Sequence, residues 1–300
     1  MKLYYTDVFV LPLPSGHRFP MEKYSRLRQR LLASGEFTSS DFATPAAATT
    51  EELLRAHDAA YIARVSNGEL SAAELKRIGF PWSPEMVERS LRSAGATLAA
   101  CRTALAEGCS ANLAGGTHHA HADRGEGFCV FNDAAVAARA MQAEGRVRRV
   151  AIIDCDVHQG NGTAAILKGD DSVFTFSIHG ARNFPFEKEC SDLDIELADG
   201  TGDDAYLAAL DAGLEETLAR SQPELVIYLA GADPYAGDRL GRLELSLAGL
   251  AARDRRVLTA CHERGIPVAL AMAGGYAQPI DDTVAIHATT VIAAKHCFFG

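Results

Sequence analysis

Short apolar runs alternate with longer, helically periodic segments over most of the chain. The runs lie at 111–114, 149–153, 172–178, 224–230 and 267–272, and the periodic segments at 132–144, 161–168, 203–220, 246–264 and 277–296. Strand and helix in strict alternation predict a parallel sheet with helices on both faces. Right-handed crossovers then bring the strand-end loops to one rim. Upstream, Lys2 to Tyr5 reads as a strand and Met21 to Ser34 as a helix with Leu27, Leu31 and Leu32 on one side, followed by Gly35 where a C-cap glycine belongs. Thr50 is expected to cap a short helix that begins Glu51-Glu52, and Ser83 a long alanine-rich helix reaching about residue 107. No internal repeat or low-complexity linker interrupts this rhythm, so residues 1–300 read as one domain.

The segment at 149–163 is the centre of that pattern. Val150 to Ile153 is apolar throughout, as a strand covered on both faces must be. Asp154, Asp156 and His158 follow at its end, then Gly160 and Gly162. Ligands of open α/β sheets bind at that edge. Alternation points Asp156 and His158 to one side, and a carboxylate converging with an imidazole suits a divalent metal, zinc above all. In isolation the same residues also read as helix caps and a loop histidine.

Composition narrows the class. The 300 residues suffice for one large α/β domain, and mean hydropathy near zero marks a water-soluble chain. No apolar run approaches the roughly 18 residues of a membrane span, and the first residues lack the apolar core of a secretory signal. Seven scattered cysteines without a Cys-x-x-Cys pair fit a reducing cytoplasm and exclude a cysteine-based zinc site. A net charge of −10 disfavours nucleic-acid binding. It would suit steering of a cationic substrate, but it is equally the charge of an ordinary acidic soluble protein, and the sequence does not gather it on one face.

Three further strand ends carry chemistry. After the first run come Gly115-Gly116-Thr117-His118-His119. Adjacent side chains diverge, so these histidines suit an acid–base pair, each with its own partner, better than joint metal ligation. After 224–230 comes Asp233, a third anionic ligand or an Asx-turn before Pro234. After 267–272 come Gly274-Gly275-Tyr276, where the tyrosine is placed to donate to an oxyanion or merely to pack. Together the four loops hold the parts of a metal hydrolase: three ligands, an open position, a base and an oxyanion donor.

With GGTHHA at 115, DRGEGFC at 123, DCDVHQGNG at 154, AGADPYAGDRLG at 230 and AGGY at 273, the chain resembles the zinc-dependent histone deacetylase superfamily, which includes acetylpolyamine amidohydrolases and acetoin-utilisation proteins. It looks most like the class IV branch and its bacterial relatives. The resemblance covers nearly the whole chain. It implies an arginase/deacetylase-like three-layer α/β/α fold with an open, mainly parallel sheet of about eight strands. It implies one zinc held by Asp156, His158 and Asp233, with His119 as general base and acid, and His118, oriented by Asp154, as its electrostatic partner. Asn161 would contact His119, and Tyr276 would bind the substrate carbonyl and oxyanion. Gly127 and Phe128, with Phe184 opposite, would line an acyl-lysine tunnel. A monovalent cation, K⁺, would lie near Asp154 and Ser177. A single Asp-x-His with one distal Asp speaks against a dinuclear manganese ureohydrolase.

The chain departs from the family pattern at three places. Thr117 replaces an aromatic residue, Pro234-Tyr235 sets a bulky pair at the expected site mouth, and residues 36–80 lack an alignable rim motif. The expected activity is removal of an acetyl or longer acyl group from lysine or a related N-acyl amine. An acetylpolyamine amidohydrolase is the alternative, and a catalytically silent acyl-binding module a lesser one. Acyl length, amine and oligomeric state are left open by the sequence.

Overall fold

A computed structural model describes residues 1–300. In chain order the elements are β1 (Lys2–Tyr4), α1 (Glu22–Ala33), β2 (Phe42–Ala43), α2 (Thr50–Leu53), α3 (Ala59–Asn67), α4 (Ala72–Ile78), α5 (Pro84–Glu107), β3 (Cys109–Asn112), α6 (Asp133–Ala143), β4 (Val150–Asp154), α7 (Asn161–Leu167), β5 (Val173–Gly180), β6 (Leu193–Leu197), α8 (Asp203–Ser221), β7 (Leu225–Leu229), α9 (Leu247–His262), β8 (Val268–Ala271) and α10 (Ile280–Phe299). The eight strands form one sheet in the order β2-β1-β3-β8-β7-β4-β5-β6. Every pairing is parallel.

The central strands are apolar without alternation because both of their faces are covered. Val150 and Ile152 of β4 join one core, packed beneath α3, α5 and α6. Ala151 and Ile153 join a second core beneath α1, α8, α9 and α10. The sheet is thus the middle of three layers. No helix is long and apolar enough to cross a membrane.

Two edge strands escape the apolar-run pattern. β2 has only two residues, and β6 reads Leu-Asp-Ile-Glu-Leu at partial burial, the alternation of a strand covered on one face. Helices α3 and α4 likewise fall outside the elements that the sequence pattern predicts. The third strand begins at Cys109 rather than 111, because small polar residues are buried there: the Asn112 amide donates to Ser93 O and Thr97 Oγ1 at 3.1 and 2.9 Å. The cap of α2 is Thr49, not Thr50; its hydroxyl accepts from Glu52 N–H, and the Glu52 carboxylate accepts the Thr49 N–H in return. Ser83 caps α5 as expected.

Register brings the strand ends level. Asn112 pairs with Ala271, Ala271 with Leu229, Leu229 with Asp154 and Asp154 with Ser177. The loops after β3, β8, β7 and β4 therefore leave the sheet along one line. Arg253 of α9 braces two of them from below. Fully buried, it donates through Nε to Asp254 at 2.9 Å and through Nη1 to Gly231 O at 2.5 Å and Cys155 O at 3.2 Å. Asp254 is further bound by the hydroxyls of Tyr228 and Thr290. Arg253→Met leaves that carboxylate without its cation and two loop carbonyls without a donor. The substitution should lower unfolding free energy by about 3–5 kcal/mol in chemical denaturation; a loss below about 1 kcal/mol would contradict the bracing role.

Candidate functional site

Four loops converge on a cavity of about 660 Å³. Its floor holds Asp156 and His158 from the loop after β4 and Asp233 from the loop after β7. One donor atom from each lies within 4.8 Å of the others. His158 Nδ1 is 3.0 Å from Asp156 Oδ1 and 3.4 Å from Asp233 Oδ2. Backbone N–H groups orient the carboxylates: Gly274 donates to Asp156 Oδ2 at 2.7 Å, and Val157 to Asp233 Oδ1 at 2.9 Å.

Asp233 Oδ2 has no hydrogen-bond partner although the residue is fully buried. Gly274 presses on the same point, where a Cβ would collide with carboxylate oxygens of both Asp233 and Asp156. A buried carboxylate oxygen without a hydrogen bond, facing a second carboxylate and with an imidazole nitrogen 3.4 Å away, makes a group that could hold a divalent cation, and its N and O composition fits zinc. Burial and the neighbouring Asp156 raise the Asp233 carboxyl to about 7. Burial pulls the His158 imidazolium down, but Asp156 and Asp233 outweigh it and raise its pKa to about 10. The cluster thus holds a proton where a cation would sit.

His118 and His119 lie beside this cluster with different partners. His118 Nδ1 is 2.6 Å from Asp154 Oδ2, and His119 Nδ1 is 2.7 Å from Asn161 Oδ1. Burial disfavours both imidazolium ions. At His118 the charges of Asp154 and Asp156 outweigh burial, and its pKa rises to about 9. His119 has only a neutral amide partner, and burial with the charges of His118 and His158 puts it well below the ordinary histidine value. The rings do not diverge as expected for sequence neighbours: their centroids are 4.1 Å apart. The backbone turns here, with Ala120 N–H bonded to Thr117 O, so the side chains do not alternate as on a strand.

Gly127 approaches the His119 ring so closely that a Cβ there would lie 2.7 Å from Cδ2, and its φ of +55° also favours glycine. Phe128 and Phe184 line the cavity with it, Phe184 edge-on to His119 at 4.9 Å. Tyr276 is buried and also lines the cavity, 6.0 Å from Phe128 between ring centroids. Ser177 is buried too, with its hydroxyl 2.9 Å from His179 Nδ1.

Pro234 and Tyr235 do not stand at the mouth. Tyr235 packs against the second core and donates to Asp282 at 3.3 Å, because the chain turns back at residues 232–235. Thr117 does line the cavity, with its hydroxyl 2.7 Å from Asp133.

Several supporting residues carried no separate signal. Asp133, buried, accepts from Gly116 N–H, Thr117 N–H and the Thr97 hydroxyl and so fixes the Gly-Gly turn before the histidines. Asp238 accepts the Tyr276 N–H at 2.6 Å, and Arg239 donates to the Tyr276 carbonyl at 3.0 Å. Both lie within the motif at 230 and set the tyrosine's backbone. Lys23, nearly fully buried, points Nζ at Gly275 O at 3.3 Å and lies 5.2 Å from the Tyr276 ring centroid.

A parallel sheet with a two-carboxylate, one-imidazole cluster over its carboxyl edge defines an arginase- and deacetylase-like α/β protein. Residues 17–292 match the histone deacetylase domain, and the chain belongs to that family. It is 42% identical over 296 residues to an uncharacterized protein of Picosynechococcus sp., covering 99% of this chain and 98% of that one. It is 32% identical to a histone deacetylase-like amidohydrolase of Pseudomonas aeruginosa, covering 89% of this chain and 74% of the relative. The crystal structure of a histone deacetylase homologue complexed with SAHA superposes with a TM-score of 0.83 at 25% identity, covering 99% of this chain and 88% of that one.

The raised Asp233 gives a pH test. A carboxyl whose folded pKa exceeds its ordinary value costs nothing below about 4 and most above about 7, so stability falls as pH rises through that window. Asp233→Asn retains the oxygen that accepts Val157 N–H and removes the charge. Chelator-treated Asp233→Asn should therefore melt higher than chelator-treated wild type at pH 8, with the gap closing by about pH 4. Equal melting temperatures at both pH values would refute the unpaired-carboxylate reading.

Proposed function

We propose that this protein is a zinc-dependent amidohydrolase that removes an acetyl or longer acyl group from the side-chain amine of lysine or a related N-acyl amine. The observation that carries the reading is the pairing of an orphaned Asp233 oxygen in the Asp156–His158–Asp233 cluster with two adjacent, differently partnered histidines. Membership of the deacetylase family supports it. We place the enzyme in a reducing cytoplasm, in keeping with seven cysteines of which none is disulfide-bonded.

Asp156, His158 and Asp233 would hold the ion. When bound, zinc supplies Lewis acidity that polarises a carbonyl and lowers the pKa of water towards about 7. The chain's own groups do the rest. With Nδ1–H donated to the Asn161 oxygen, neutral His119 presents the Nε2 lone pair and takes a proton from the attacking water. It returns that proton to the departing amine, which leaves poorly as an anion. Asp154 keeps His118 protonated beside it, a fixed positive charge 4.1 Å from the His119 ring that stabilises the anion formed during attack. The Tyr276 hydroxyl donates to that anion; burial holds its pKa well above the ordinary value, so it stays a donor. Gly127, Phe128 and Phe184 bind the aliphatic stem of the acylated side chain. Asp154 and Ser177 are also the side chains beside which a structural K⁺ would sit.

Zinc-loaded wild type should hydrolyse amides in a panel of acyl-lysine peptides and acylpolyamines, and lose activity with a chelator. Tyr276→Phe should cost about 10²-fold in kcat and His119→Ala about 10²–10⁴-fold, each with one zinc per chain by elemental analysis. His158→Ala should lose the zinc. Wild-type rates in His119→Ala would remove it as the base, and inertness of the zinc-loaded wild type across the panel would favour a silent acyl-binding module.

A further inference from the structure

The mouth of the cavity has the opposite charge to the rest of the chain. Asp and Glu outnumber Lys and Arg by 39 to 29 overall. Around the mouth the balance reverses: Arg18, Lys76, Arg77, Arg182 and Arg242 line it and are exposed, and Glu126 is the one carboxylate there, since Asp156 and Asp233 lie buried on the floor. These cations come from four separate segments: the loop before α1, the last turn of α4, the loop after β5 and the loop before α9. Arg18, Lys76 and Arg77 form no ion pair, while Arg182 and Arg242 share Asp199 at 3.9 and 3.2 Å.

A basic last turn is a common helix feature because it complements the helix dipole, which accounts for Lys76 and Arg77. It does not account for Arg18, Arg182 or Arg242. Convergence of five like charges on one opening is unfavourable for folding, and nothing inside the protein neutralises three of them. Phe186, 84% exposed at the same mouth, adds an apolar contact beside them.

Resting on the amidohydrolase reading, we propose that the acylated amine reaches this enzyme within an acidic peptide segment: an acyl-lysine flanked by aspartate and glutamate. A segment several residues long matches cations spread around a rim better than a lone carboxylate does. A polyamine, cationic at every free amine, is repelled by the same rim, as is a lysine-rich tail. Complementary charge of this kind acts on encounter and specificity more than on chemistry, so the preference belongs in KM and falls with ionic strength.

The test uses zinc-loaded full-length protein and acetyl-lysine peptides of one length with acidic, neutral or basic flanks, together with free N-acetyl-lysine and an acetylpolyamine. At low salt kcat/KM should fall from acidic to neutral to basic by about ten-fold or more overall, mostly through KM. The spread should shrink several-fold at about 0.5 M salt, where the screening length is near 4 Å. In Lys76→Glu/Arg77→Glu/Arg182→Glu, whose sites are all exposed, the order should invert. Free N-acetyl-lysine matching the acidic peptide, a preference for basic flanks or polyamine, or a flat profile would each overturn the proposal. Fluorescence anisotropy of the same labelled peptides separates the two readings. Tighter binding of the acidic peptide without turnover supports the rim and removes the hydrolase. Turnover with no charge preference in either measurement keeps the hydrolase and removes the rim.

Discussion

Buried negative charge is the constraint around which this molecule is built. Asp154, Asp156 and Asp233 are each at most 3% exposed, and they project from neighbouring strand ends into one small volume. Such groups are expensive to desolvate unless they are paired. The fold meets part of that demand with fixed donors: the N–H groups of Asp156, His158, Val157 and Gly274, and the imidazole of His118. One oxygen of Asp233 is left over. The loops are held rigidly enough, from below by Arg253 and from the side by Gly274, that the carboxylates do not relax apart. A cation held by Asp156, His158 and Asp233 would complete the charge balance.

The same accounting separates the two histidines. They are neighbours in sequence and in space, with similar burial. Their difference lies one atom further out, where one faces the carboxylate of Asp154 and the other the amide of Asn161. A carboxylate partner stabilises imidazolium and an amide partner does so only weakly, so a single oxygen-for-nitrogen exchange in the partner separates the pKa values of the two rings, and on the proposed mechanism it would give fixed charge to one and proton exchange to the other.

The strands β8, β7 and β4 were the most legible because they are apolar and buried on both faces, and a short unbroken apolar run is stable hardly anywhere except between two helical layers, whereas buried polar residues blur β3 and β5. The polar residues just beyond those runs were legible for the same reason, since a parallel sheet leaves only one edge for ligands. The edge strands β2 and β6 were not, one being too short for a pattern and the other only partly covered. Residues that act through tertiary approach were also hidden. Arg253 lies in an ordinary-looking helix, and nothing in its neighbourhood in sequence reports that it reaches Gly231 and Cys155. The rim cations are separated by up to more than two hundred positions, from Arg18 to Arg242, and only folding assembles them.

Net charge was the least informative quantity for the same reason. At physiological salt a surface charge is felt over roughly 8 Å, so most of the chain's acids do not reach the cavity, and its mouth is governed by the residues that line it and by Asp199, which pairs with two of them. A divalent cation on the floor would be balanced by the two carboxylates that hold it, which leaves the mouth as the main source of field along the tunnel. On the hydrolase reading, an amide enters neutral and its amine leaves as a cation. A positive mouth therefore disfavours the new ammonium group inside the cavity relative to bulk water, while the acidic flanks of the proposed substrate would still hold the chain. Affinity for the chain and release of the reacted group are thus set by different charges on the same substrate.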